Sequence, residues 1–249
     1  MGTTTIKAEP AAGEPATAVR AKLYGLPGAA PSFSAELMLL HKGVPYRRVN
    51  LIPGLHSRTL PARRFPGGTA PAARLNGRRV QTNRAIARAL DELVPDPPLF
   101  PSDPAERADV EEAERFCDEV LQHAVRRMIL WSLTRDPDSV TPHPALGPLA
   151  VPRNKWLRAR LMPRVFKTYN VTDATVGADF EALPMMLDKL DGYAADGVLD
   201  GRRLTAADLQ IAPLIAAVSG IEDLGAEIAW RRVAAMTNRV MPPQPPARM

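Results

Sequence analysis

Gly68-Thr-Ala-Pro-Ala-Ala-Arg-Leu-Asn-Gly-Arg-Arg-Val-Gln-Thr-Asn83 decides the fold. Within it, Ala72–Leu75 and Arg78–Gln81 flank Asn76-Gly77. Asn-Gly between two short strands is the strongest local hairpin signal, because a type I′ turn needs positive φ at both central residues. Downstream, Asn83 to Leu93 reads as a helix with Ile86, Ala89, Leu90 and Leu93 on one face and Asn83 as its N-cap. Upstream lies a Pro/Gly-rich connection, Phe65-Pro-Gly-Gly-Thr-Ala-Pro71. Further upstream, Lys22-Leu-Tyr-Gly-Leu26 suits a strand that Pro27-Gly28 breaks. Ser32 to Lys42 reads as a helix closed by Gly43, and Pro45 to Leu51 as a second strand.

The order is therefore β-α-β, a connection, a β-β hairpin and a helix. Parallel pairing first and antiparallel pairing second is thioredoxin-like topology. Leu93-Val-Pro-Asp-Pro-Pro-Leu-Phe-Pro101 is a Pro-rich linker. Beyond Ser102 the periodicity is helical. Val110, Ala113, Cys117, Leu121, Ala124, Met128 and Trp131 step by three or four along one stripe. Lys155–Lys167 reads as a helix that Pro163 bends or divides, and Phe180–Val198 as another. Thr205-Ala-Ala-Asp208 is a capping-box start, and the Leu209–Val218 run after it is apolar nearly all round, as a central helix would be. The expected fold is an α/β thioredoxin-like N-terminal domain followed by an all-α C-terminal domain. The expected divisions are a flexible tail at 1–19, the first domain at 20–94, a linker at 95–102, the helical domain at 103–240 and a Pro-rich tail at 241–249.

Composition narrows the function. The 249 residues carry 32 Lys+Arg against 27 Asp+Glu, a net charge of +5. Both signs are interspersed, and the excess of arginine over lysine reads as a GC-rich genome, not as a nucleic-acid surface. Aromatic residues are 5%, too few for base-stacking platforms. No run approaches 18 apolar residues and the opening residues lack an apolar h-region, so a cytoplasmic protein with no membrane span is expected. The lone Cys117 excludes an intramolecular disulfide framework and a CxxC redox centre, and its place on the inner stripe makes it a core residue. His41, His56, His123 and His143 are scattered with no ligand spacing, so no metal is expected.

With these elements in place, the chain resembles the cytosolic glutathione S-transferases over residues 20–225. Leu23-Tyr-Gly-Leu-Pro-Gly28, with the helix ending at His41-Lys-Gly-Val-Pro-Tyr46, is similar to that family's opening. Gly68-Thr-Ala-Pro-Ala72 is similar to its cis-proline turn, Thr82-Asn-Arg-Ala-Ile86 to its thiol-binding helix start, and Leu204-Thr-Ala-Ala-Asp208 to its second-domain capping box. The resemblance implies that the backbone of Ala70, ahead of a cis Pro71, pairs strand-fashion with the cysteinyl unit of glutathione. It also implies that Thr82 and Asn83 hold the γ-glutamyl carboxylate at a helix N-terminus, where amides and dipole favour an anion. Taken singly, Pro71 also reads as a trans turn proline and Asn83 as a plain cap. Their order together favours the binding reading.

Transfer chemistry needs the thiol ionised near neutral pH. The family's customary activating positions fall on Gly25 and Ala29, which carry no hydroxyl or thiol, while strand alternation sends Tyr24 to the other face. Ser32 is the nearest replacement and the candidate catalytic residue, with Ser34 next. An ordinary N-cap serine is the competing reading of Ser32. The basic run Arg153, Lys155, Arg158, Arg160, Arg164 and Lys167 reads as a solvated helix face, with a membrane-phosphate or acidic-substrate role as the alternative. Trp131, Trp156 and Tyr169 either line an apolar inter-domain pocket or are core. The resulting expectation is conjugation of glutathione or a similar thiol to an apolar electrophile, in a possible homodimer with no metal and no nucleic-acid partner. A non-catalytic ligand-binding or interaction protein of the same fold is the alternative. A thiol-dependent isomerase or dehalogenase is not separated from the first reading.

Overall fold

Leu23 and Tyr24 face opposite sides of a four-stranded sheet, and each side has its own apolar cluster. The computed structural model describes residues 19–147 and 155–241. The sheet order is β2-β1-β3-β4, formed by β1 (Ala21–Gly25), β2 (Tyr46–Asn50), β3 (Ala72–Leu75) and β4 (Arg78–Gln81). β1 runs parallel to β2 and antiparallel to β3, and β3 is antiparallel to β4. Asn76 (φ 46°) and Gly77 (φ 90°) make the expected hairpin turn.

Three helices complete this half. α1 (Ala30–His41) and α3 (Asn83–Leu93) pack together on the inner face. α2 (His56–Ala62), on the outer face, is a helix where the sequence suggests only a connection. It has seven residues with Pro61 inside, too short for a clear apolar period. Its anchor is Leu60, buried with Tyr24, Leu51, Phe65 and Ala72. α1 starts two residues earlier than the sequence suggests, because Pro31 fits the first turn. The α3 cap also moves by one residue. Thr82, not Asn83, is the N-cap, its hydroxyl accepting from the Ala85 N–H at 3.3 Å.

The second half is helical. α4 (Pro104–Phe116) passes through a π-helical turn at Cys117–Leu121 into α5 (Gln122–Arg135), so the predicted single stripe spans two helices and a bulge. α6 (Lys155–Tyr169) contains Pro163 without dividing, and α7 (Asp173–Ala195) starts earlier than its sequence pattern, behind a Thr172 cap. α8 (Ala206–Val218), α9 (Leu224–Ala229) and α10 (Arg232–Val240) follow. Every residue of α8 is buried. Such burial contributes roughly 1.5–3 kcal/mol for each large aliphatic side chain. α8 begins with the expected box: Thr205 Oγ accepts from the Asp208 N–H at 3.3 Å, and the Thr205 N–H donates to Asp208 Oδ2 at 2.9 Å.

α1 packs on α8, which joins the halves. A buried polar knot adds direction to that contact. Arg88 of α3 pairs with Glu114 of α4 at 2.9 Å, and Gln210 of α8 donates to the same carboxylate. Burial raises the Glu114 pKa, and Arg88 opposes the rise. Across the linker, Lys42 pairs with Asp91 at 2.5 Å and donates to the carbonyls of Val94 and Pro97. No helix among the described residues is long and apolar enough to cross a membrane. Residues 1–18 of the tail expected at the N-terminus, almost all of the C-terminal tail and Arg153 lie outside the described residues, whereas Val19, expected as the tail's last residue, packs against the core.

Candidate functional site

Gln81, at the end of β4, organises the loop ahead of Pro71. Its Oε1 accepts from the Gly67 N–H at 2.7 Å, and its Nε2 donates to the carbonyls of Gly67 (3.0 Å) and Thr69 (2.5 Å). Gly68 sits so close to α2 that an added Cβ would lie 2.7 Å from the Ser57 backbone. The loop is thus held from two sides and delivers a cis Ala70–Pro71 bond to the start of β3. The Thr82 N–H donates to the Pro71 carbonyl at 3.2 Å, which brings the α3 N-terminus beside this turn. Among the described residues, neither the N–H nor the C=O of Ala70 has a hydrogen-bond partner. A half-buried strand end with unpaired backbone is a template for another strand-like segment.

Two polar features stand next to that template. Thr82 has φ 78° and ψ 151°, a region that is nearly glycine's alone. A β-branched residue held there costs of order 1–3 kcal/mol, and such strain clusters at functional sites. Asn83 is 6% exposed, and its Oδ1 is buried without a partner. A buried carbonyl left unpaired costs about 1–3 kcal/mol and is ready for a donor. The structure therefore brings Ala70, Pro71, Thr82 and Asn83 into one neighbourhood.

Ser32 is placed differently. It is the third residue of α1 and 1% exposed. Its Oγ accepts from the Leu26 N–H at 2.9 Å. Ala29 occupies the cap position and makes no side-chain cap bond, so Ser32 is not a capping serine either. Gly25 is the reason it fits: a Cβ on that residue would lie 2.9 Å from the Ser32 Cβ. Ser34, also buried, donates to the Ala30 carbonyl at 3.1 Å. Tyr24 lies on the outer face, edge-on to Phe65 with ring centroids 5.2 Å apart.

A cleft of about 190 Å³ opens where the halves meet. Leu26, Gly28, Ala29, Ala30 and Pro31 form one wall, with Pro53, Gly54 and His56 beside them. α5, α6 and α8 form the other wall through residues including Val125, Ile129, Met162 and Leu214. Its lining is largely apolar. The polar groups on it are His56, Gln122, Arg126 and Tyr169. Arg126 lies 4.7 Å from the Tyr169 ring centroid and joins no ion pair among the described residues. Burial lowers its pKa, as it does that of His56, whose Nδ1 has no partner. Of the three aromatic residues considered for this pocket, Tyr169 lines it. Trp131 instead packs on Phe180 and donates to Asp173 at 2.8 Å, and Trp156 is 70% exposed.

Arg126, Gln81 and His56 are the residues that sequence reasoning missed. Arg126 sits between Val125 and Arg127 in a mixed stretch, and the direction of one arginine cannot be read from that pattern. Cys117 is core, 2% exposed, with its thiol pKa pushed up by burial. Among the described residues, no group of His, Cys, Asp and Glu is arranged to hold a metal ion.

Residues 23–98 match the family model for the glutathione S-transferase N-terminal domain. Several solved structures share the fold. Glutathione transferase F2 of Populus trichocarpa is 18% identical, with 88% of this chain and 91% of that chain covered and a TM-score of 0.60. A glutathione S-transferase of Ceriporiopsis subvermispora, solved in complex with glutathione, is 15% identical, with 88% and 94% covered and a TM-score of 0.62. A glutathione S-transferase of Methylobacterium radiotolerans, solved with glutathione sulfonate, is 18% identical, with 89% and 90% covered and a TM-score of 0.58. No curated protein matches the chain in sequence.

Proposed function

We propose, for a chain that is glutathione S-transferase-like in family and fold, that it binds glutathione or a similar small thiol and transfers it to an apolar electrophile in the cleft. The unpaired N–H and C=O of Ala70 carry this reading, standing beside the orphaned Asn83 Oδ1. A peptide-like thiol supplies the missing partners: its backbone adds to the strand end at Ala70–Pro71, and its charged end meets Thr82 and Asn83 at the α3 N-terminus. In this reading, residues 20–94 are the thiol-binding unit, 95–102 the linker and 103–240 the helical unit that presents the electrophile. A cytoplasmic homodimer belongs to the same proposal.

The sulfur then faces the turn at Gly28–Ala30. There the N-terminal end of α1 favours a thiolate over a thiol, and Arg126 adds positive charge from the opposite wall. The thiolate attacks the electrophile, a carbon–sulfur bond forms, and the leaving group or a proton-accepting atom takes the displaced electron pair. Ser32 acts as a positioning residue that holds Leu26 and so sets the turn.

Calorimetric titration of the full chain with glutathione tests the binding. Saturable binding that Asn83→Ala weakens by roughly tenfold supports it. Absence of saturable binding overturns it. A non-catalytic ligand-binding protein is the second reading, favoured by the absence of a side-chain hydroxyl at Gly25 and Ala29 and by the burial of Ser32. Absorbance of the bound thiolate separates the two. A bound thiol that ionises at lower pH than in free solution supports transfer chemistry. A bound thiol that titrates as in free solution supports the second reading.

A further inference from the structure

One lateral row of the sheet carries a basic residue on every strand. In register, Arg47 of β2 lies beside Lys22 of β1, Lys22 beside Arg74 of β3, and Arg74 beside Arg79 of β4. The row shares the outer face with Tyr24, away from α1 and the helical half. Like charges directly opposite one another across strands destabilise a sheet, so the facing pair Arg74 and Arg79, which join no ion pair among the described residues, favours a negative charge between them. The end of α2 adds more of the same sign. Arg63, Arg64, Arg74 and Arg79 line a hollow of about 230 Å³ together with Tyr24, Ala62 and Phe65.

No acidic residue lines this hollow. None of its four arginines joins an ion pair among the described residues, whereas Arg78, on the other face of β4, pairs with Glu92 at 2.8 Å. Backbone bonds hold three of the guanidinium groups in place, that of Arg63 through Nη1 to the Thr59 carbonyl at 3.3 Å. Arg79 Nε donates to the Arg63 carbonyl at 2.9 Å and Arg74 Nε to the Gly77 carbonyl at 3.4 Å. The Arg74 and Arg79 anchors use Nε, which leaves the terminal Nη donors of these two residues without a protein acceptor among the described residues.

We propose that this hollow is a binding site for a small polyphosphate-class anion, a free molecule bearing adjacent phosphate groups. Anchored guanidinium forks match phosphate oxygens two at a time, and several cations around one hollow reinforce each other's field. The dimensions suit a compact ligand. A nucleic-acid strand would need exposed rings for stacking, and Tyr24, the ring at this hollow nearest the row, is 4% exposed. The hollow shares no lining residue with the cleft, and the proposal does not rest on the thiol chemistry.

Calorimetry of the full chain with sodium pyrophosphate at low ionic strength is the test, with orthophosphate, a single-stranded oligonucleotide and phosphatidylglycerol vesicles as separate arms. The expected result is saturable one-to-one binding of pyrophosphate, tighter than orthophosphate. Arg74→Gln weakens it by about tenfold or more. Arg78→Gln and the affinity for glutathione are unaffected. Arg79→Gln also loses its hold on Arg63, so Arg74→Gln with an unchanged melting temperature is the deciding variant. Unsaturable heats, equal binding by Arg74→Gln, or tighter binding of the oligonucleotide or the vesicles overturns the proposal.

Discussion

The Ser32 hydroxyl accepts the backbone N–H of Leu26 at 2.9 Å, tying the first turn of α1 to the end of β1. The bond spans the Pro27-Gly28 break, where Gly28 takes φ 71°. A hydroxyl 1% exposed in this role shapes the rim of the cleft without lining it. Ser32→Ala leaves a part-buried N–H without its acceptor, at a cost of about 1–2 kcal/mol in urea unfolding. Thiol affinity falls as the turn loosens, while the pKa of whatever thiol remains bound stays where it was. A bound thiol whose pKa moves to its free-solution value in Ser32→Ala would make Ser32 the activating group instead.

Arg126 is the cation on a largely apolar cleft wall, stacked on Tyr169. Arg126→Met keeps much of the apolar stem and removes the charge. Its expected effect is a transfer rate lower by tenfold or more and a bound thiol that ionises at higher pH, with thiol affinity nearly unchanged. Steady-state rates and thiolate absorbance read the two effects separately. Loss of thiol affinity at constant rate would place Arg126 on the binding side.

His41 closes α1 with its Nε2 buried and unpartnered. Burial lowers its pKa first, Lys42 lowers it further, and Asp91 opposes both. The folded chain therefore keeps His41 neutral where the unfolded chain, near pH 6.5, takes up a proton. By linkage this stability is complete above pH 6.5 and is lost as pH falls through 6.5 toward the folded pKa, at no more than about 1.4 kcal/mol per pH unit. Unfolding free energies of the wild type and His41→Gln, measured from pH 7.5 to 5, should converge toward the acid end. Parallel curves would show that His41 does not titrate differently in the two states.

Asp208 carries the opposite sign. Burial raises its carboxyl pKa to about 6, against the bonds from Thr205 and Gly201 that lower it. The folded state holds the proton more tightly than the unfolded one, so wild type gains relative to Asp208→Ala as pH falls through 6 toward 3.8. Removing the side chain also breaks the α8 box and strands the Thr205 and Gly201 amides, costing about 2–4 kcal/mol at neutral pH. Urea unfolding at pH 7.5 and 5 checks both the size of the deficit and its growth on acidification.

The hairpin at Asn76-Gly77, the Thr205/Asp208 box and the all-round apolar α8 were legible in the sequence. Each is set by neighbours within a few residues: a turn's need for positive φ, a side chain reaching its third amide, an apolar face repeated at every turn. The motif order also singled out Ala70, Pro71, Thr82 and Asn83, which the structure brings into one neighbourhood. Other features depended on which distant segments meet. Gln81 clamps a loop beginning fourteen residues earlier, Thr82 takes the cap from Asn83, and Ser32 is driven into the space that Gly25 leaves open. Arg126 is aimed at a cleft whose other wall belongs to the other half of the chain. The basic row exists only once strand register aligns four separate segments. Local conformation follows from short-range sterics and hydrogen bonding, which composition and spacing reveal. Burial, close approach and charge proximity come from long-range packing, which is decided only when the sheet and helices close on one another.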